Sequence, residues 1–109
     1  MHQMTIFDMI RDEYPQLELM TEQEAVGHVG KALGLTFRHN DFLDQWECKV
    51  GSKTLDVSYS HYNMIGDMNG KLFISVGCED RKTKEGAGAP RDTLEEAIEW
   101  LRRRINGND

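Results

Sequence analysis

Cysteine, proline and long apolar runs are all scarce in this 109-residue chain, and each shortage excludes something. Two cysteines cannot make the framework of a disulfide-stapled secreted domain. Two prolines, Pro15 and Pro90, leave everything between them free to run as regular helix or strand. No apolar stretch approaches the ~20 residues that cross a bilayer. The first residues, Met1 to Asp8, have neither the basic start nor the long apolar centre of a signal peptide, so the cytoplasm is the expected location. Bases are also few, at 13 Lys and Arg against 19 Asp and Glu, a net charge of −6. Such a surface repels nucleic-acid phosphates over most of its extent. Hydrophobic residues make up only 39%, which implies one domain with a thin core. A protein partner or a homodimer interface would add to that core.

What is present reads as an α+β domain. Ile6, Phe7, Met9, Ile10 and Tyr14 share one side of a helical wheel, and Pro15 ends that first short helix. Thr21-Glu22-Gln23-Glu24 is a capping box that opens a second helix, buried along Ala25, Val26, Val29, Ala32 and Leu33 and stopped by Gly34. Gly27 and Gly30 inside it are expected to mark close packing against another element. Residues 35–39 form a short candidate strand, turned by Asn40 and Asp41. Trp46, Cys48 and Val50 then alternate with polar residues up to Gly51-Ser52, a pair that suits a type II′ hairpin turn. Taking that turn literally sets Cys48 opposite Leu55 and Trp46 opposite Val57, with every apolar side chain on one face. The next strand runs over residues 71–79. A charged, glycine-rich stretch with Gly86 to Pro90 reads as a flexible connector. Asp92 or Thr93 caps a terminal helix whose stripe, Leu94, Ala97, Ile98, Leu101 and Ile105, covers the sheet. The expected architecture is therefore two N-terminal helices, a three- to four-stranded antiparallel sheet and a C-terminal helix on one sheet face. Residues 1–20 are a helical extension, 21–105 the core and 106–109 a frayed tail.

Few residues suggest chemistry. The register separates Cys48 from Cys78 by two strand spacings, roughly 9.6 Å, too far for a disulfide. His2, His28, His39 and His61 lack metal-site spacing, so neither a metal nor a cofactor is expected. No catalytic constellation is found, and an enzyme is the less favoured class. His61 ends an inward row beside Tyr59. Glu47 faces Asp56 across the hairpin, an unfavourable like-charge pair that reads as a solvated face or as an acidic stripe for a basic partner. Met64, Ile65, Asp67 and Met68 fall in a long loop that either tucks beneath the domain or forms an adaptable contact surface. Arg81, Lys82, Lys84 and Arg91 form the only basic cluster outside the last helix.

The order helix, three antiparallel strands, helix over residues 21–105 resembles the double-stranded-RNA-binding domain. That resemblance implies a basic cluster at the start of the last helix. Here Gly88-Ala89-Pro90-Arg91-Asp92-Thr93-Leu94-Glu95-Glu96 is acidic instead. Size, acidity and element order also look like small bacteriophage and mobile-element proteins that bind a host protein. The leading expectation is thus a non-enzymatic protein-interaction module. Its surface would be drawn from Met64, Ile65, Asp67 and Met68 with Glu47 and Asp56, and its partner would be a basic, nucleic-acid-handling protein. One alternative is a small-molecule or nucleotide pocket near Tyr59, His61 and residues 86–90. The other is RNA binding through the basic cluster.

Overall fold

The computed structural model describes residues 14–107. A 3-10 turn at Leu17–Leu19 leads into α1 (Glu22–Leu33). Five strands follow: β1 (Arg38–Asn40), β2 (Gln45–Val50), β3 (Lys53–His61), β4 (Leu72–Asp80) and β5 (Glu85–Arg91). The chain closes with α2 (Leu94–Asn106). The strands form one antiparallel meander in the order β1-β2-β3-β4-β5. Both helices lie against the same sheet face and touch each other.

The local signals act as expected. Thr21 Oγ1 accepts from the Glu24 amide at 3.1 Å while Glu24 Oε1 accepts from the Thr21 amide at 2.9 Å. Gly34 ends α1 in the left-handed region at φ 71°. Thr93, rather than Asp92, caps α2 and accepts from the Glu96 amide. At the β2–β3 turn only Gly51 has positive φ, at 61°, as type II′ geometry requires. The register is Cys48 opposite Leu55 and Trp46 opposite Val57, with Leu55 then opposite Cys78. Leu55, Val57, Ile74 and Val76 on the sheet meet Val29 of α1 and Leu94, Leu101 of α2 in the buried core.

Three expectations need correction. Among the described residues the sheet has five strands, not three or four. Residues 86–90 are not a flexible connector but most of β5, paired along its whole length with β4. Glycine and alanine are weak strand formers, yet backbone hydrogen bonds hold an edge strand without bulky side chains, and Pro90 is tolerated because one edge needs no donor. Among the described residues one α-helix, not two, precedes the sheet, and the helix expected over residues 6–14 lies almost wholly outside them. Five strands also exceed the three of the double-stranded-RNA-binding order.

The two α1 glycines differ. A Cβ on Gly30 would lie 2.5 Å from the Leu35 carbonyl oxygen, so this glycine permits the close return of the chain beneath the helix. Gly27 is exposed and faces open space.

Candidate functional site

The meander sends the β1–β2 turn and the β3–β4 loop to the same end of the sheet. Both are held in shape from within. Asn40 Oδ1 accepts from the Phe42 and Leu43 amides at 3.0 and 3.1 Å, and Asp44 closes the turn with φ 51°. His39 lies between two turn carboxylates, its Nδ1 2.6 Å from Asp41 Oδ1 and its Nε2 3.2 Å from Asp44 Oδ1. These contacts, Asp41 foremost, raise the His39 pKa, with burial working the other way. In the second loop Tyr62 exchanges backbone bonds with Lys71 and Gly70, and Asn69 Oδ1 accepts from the Met64 amide at 3.2 Å.

These frames display apolar side chains to solvent. Phe42 is 94% exposed, Leu43 55%, Met64 49%, and Ile65 fully so. A fifth, Leu19, is 75% exposed in the 3-10 turn. That turn is anchored to the same end of β3, because the Tyr59 hydroxyl donates to the Leu17 and Met20 carbonyls. Every large exposed hydrophobic side chain among the described residues therefore gathers at one end of the domain. Of the loop residues expected from sequence, Met64 and Ile65 point outward, Asp67 is exposed and Met68 is half-buried. Phe42 and Leu43 escaped the sequence reading. Their signal is an apolar pair enclosed by Asn40, Asp41 and Asp44, where a turn needs no apolar side chain.

Among the described residues no helix or strand packs on the sheet face opposite the helices. Along it run Arg38, Glu47, Asp56, Gly77 and Gly88, each opposite the next. The Glu47–Asp56 pair exists, and the surroundings relieve it. Glu47 accepts from Asn40 Nδ2 at 3.2 Å and Gln45 Nε2 at 2.7 Å. Asp56 leans over Gly77, where any Cβ would collide with its carboxylate. Burial, then Glu47 and Glu79, push the Asp56 carboxyl above its ordinary range.

The basic candidates are divided by the fold. Arg81, Lys82 and Lys84 sit on the β4–β5 turn, while Arg91 ends β5 roughly 20 Å away at strand rise. Arg81 has a structural task, donating to the Gly51 carbonyl at 2.8 Å and the Ser52 carbonyl at 3.3 Å. Nor do Tyr59, His61 and residues 86–90 converge. His61 is exposed at the end of β3, with β4 between it and β5. Cys48 and Cys78 are free, and burial raises both thiols. Among the described residues no group of three or more His, Cys, Asp or Glu side chains is placed to hold a metal ion, and no helix is long and apolar enough to cross a membrane. No known protein family, curated protein or solved structure matches this chain.

Proposed function

We propose that this chain is a non-enzymatic protein-interaction module that grips its partner with the apolar end of the sheet. The gathering of Phe42, Leu43, Met64, Ile65 and Leu19 at that end carries the reading. Exposed apolar side chains are ordinarily scattered, and a cluster on internally braced loops is the usual form of a contact surface. Rigid presentation also lowers the ordering cost of association. The partner that fits is a basic protein, such as one that handles nucleic acid. Net charge −6 and the carboxylates Glu47, Asp56 and Asp67 would steer it toward the apolar contact.

Affinity capture from the native host at low salt tests this, with Phe42→Asp/Ile65→Asp and Glu47→Lys/Asp56→Lys variants alongside. A stoichiometric basic protein is expected with the wild type, lost with the loop variant and weakened with the sheet variant. Retention that neither variant changes would refute this surface.

A further inference from the structure

Among the described residues no strand pairs with the outer edge of β5, whose Arg91 end adjoins the β3–β4 loop through the Tyr62 hydroxyl donating to Asp92 at 3.0 Å. The β5 sequence, Glu85-Gly86-Ala87-Gly88-Ala89-Pro90-Arg91, has only small residues between an acid at one end and a base at the other. Pairing with β4 places Glu85, Ala87, Ala89 and Arg91 on the helix-bearing face, opposite Asp80, Cys78, Val76 and Ile74. Gly86, Gly88 and Pro90 take the opposite face. Pro90 has no N–H to give, which suits a position whose backbone groups point away from β4. In an antiparallel ladder that direction alternates, so Gly86 and Gly88 also aim their N–H and C=O groups at the outer edge.

We propose that β5 pairs antiparallel with β5 of a second copy about a two-fold axis through Gly88, joining the two sheets into one. In this register Glu85 lies opposite Arg91 of the second copy at each end of the seam. Gly88 exchanges both backbone hydrogen bonds with its own symmetry mate. Gly86 donates to the Pro90 carbonyl of the second copy, and Pro90 returns none. Side chains project above and below the sheet rather than toward the neighbouring strand, so the small residues between the charged ends leave the edge backbone open to pairing.

The helix layer has the same self-complementarity. α2 follows β5 after a short reversal and runs antiparallel to it above β4 and β5. The two-fold sets the two α2 helices antiparallel, roughly 14 Å apart if each lies over β4. The groove between β5 and α2 is lined by Arg91, Glu96, Glu99, Trp100 and Arg103. Acids occupy the first turn of α2 and bases its last. Reversal by the axis brings acids of one helix toward bases of the other and covers the half-buried Trp100. An arrangement that is complementary to its own inverse is what an isologous contact requires. It is a specific match to a second copy rather than to an arbitrary extended peptide.

Sedimentation equilibrium over a concentration series tests the proposal, with circular dichroism to verify folding. Wild-type protein should reach the mass of two copies. Glu85→Arg and Arg91→Glu should each weaken association by roughly tenfold or more, and the combined exchange should restore it. A Gly88→Cys variant provides a test independent of those charges. Across the axis two hydrogen-bonded residues stand ~5.5 Å apart at Cα, within disulfide range. This variant should cross-link between copies under mild oxidation well above the wild-type background from Cys48 and Cys78. A chain monomeric throughout, a dimer indifferent to single reversals, a combined exchange that fails to restore, or no added cross-linking at position 88 would each overturn the seam.

Discussion

Alanine at Gly27 and at Gly30 should move stability in opposite directions, although the two stand three residues apart in one helix. Intrinsic helix preference favours alanine over glycine by ~1 kcal/mol at either site. At Gly27 nothing lies within 4 Å of the added methyl, so that gain is realised in full. In a domain of this size it raises the melting temperature by about 4–8 °C. At Gly30 the methyl would sit 2.5 Å from the Leu35 carbonyl oxygen, which must retreat by roughly 1 Å to regain ordinary contact. Retreat is obstructed, because the Leu35 amide is bonded to the Gly30 carbonyl at 2.8 Å. Overpacking costs ~1–3 kcal/mol and a weakened hydrogen bond ~0.5–1.5 kcal/mol, together more than the helix preference returns. A net loss of about 1–3 kcal/mol is expected, so the two variants should differ by about 2–4 kcal/mol. Urea unfolding followed by far-ultraviolet circular dichroism measures both. A Gly30→Ala protein as stable as the wild type, or two variants that shift together, would refute the close-approach argument.

Glu22 accepts from the Tyr59 amide at 2.7 Å and from Trp46 Nε1 at 3.2 Å, satisfying β3 where β2 no longer reaches it. Glu22→Ala should therefore cost about 1.5–3 kcal/mol in urea melts, with glutamine recovering part; a neutral result would show that water serves Tyr59 equally well. Asp56 has a raised pKa in the folded state, so the native state holds its proton longer and stability falls as pH rises from the unfolded value through the folded one. Asp56→Asn should thus stabilise at neutral pH and lose its advantage below about pH 4, where the unfolded carboxyl is also protonated; unfolding at both pH values decides it, and a destabilised neutral-pH variant contradicts the assignment. His39 follows the same sign, because its folded pKa is also raised: its contribution is present below the unfolded pKa near ~6.5 and lost as pH rises through the higher folded value. Proton NMR should place its midpoint above that of an unfolded reference, with the Phe42 and Leu43 amides following the same curve and Asp41→Asn lowering it. A midpoint at or below the reference would exclude the clamp.

The features legible in sequence were those fixed within a few residues. Thr21 with Glu24, Gly34, and Gly51 with Ser52 each determine their own geometry, and the hairpin turn propagates into the correct register for Trp46, Cys48, Leu55 and Val57. β5 was not legible because its pattern is backbone, not side chain. Glu85 to Arg91 has no apolar alternation, and only the presence of β4 beside it turns a glycine-rich run into a strand. Half of the candidate site could be read. Met64 and Ile65 stand out in a long polar loop, whereas Phe42 and Leu43 resemble core residues until Asn40 and Asp44 turn them out of the sheet. Gly27 was misjudged beside Gly30 because a helix interior shows the same letter whether the neighbour is a carbonyl or water.

Because every ladder joins strands consecutive in the chain, the sheet can form as a series of local zippers, each closed by a turn of modest length. Loop-closure entropy is concentrated in a different step, the docking of α1. Its ties reach far along the chain, from Glu22 to Tyr59 and from the Ala32 carbonyl to Arg102. Docking of α1 is then expected late, after the barrier has been crossed. On this ordering Gly27→Ala leaves the folding rate almost unchanged and slows unfolding, so the lifetime of the native state depends chiefly on the element that arrives last.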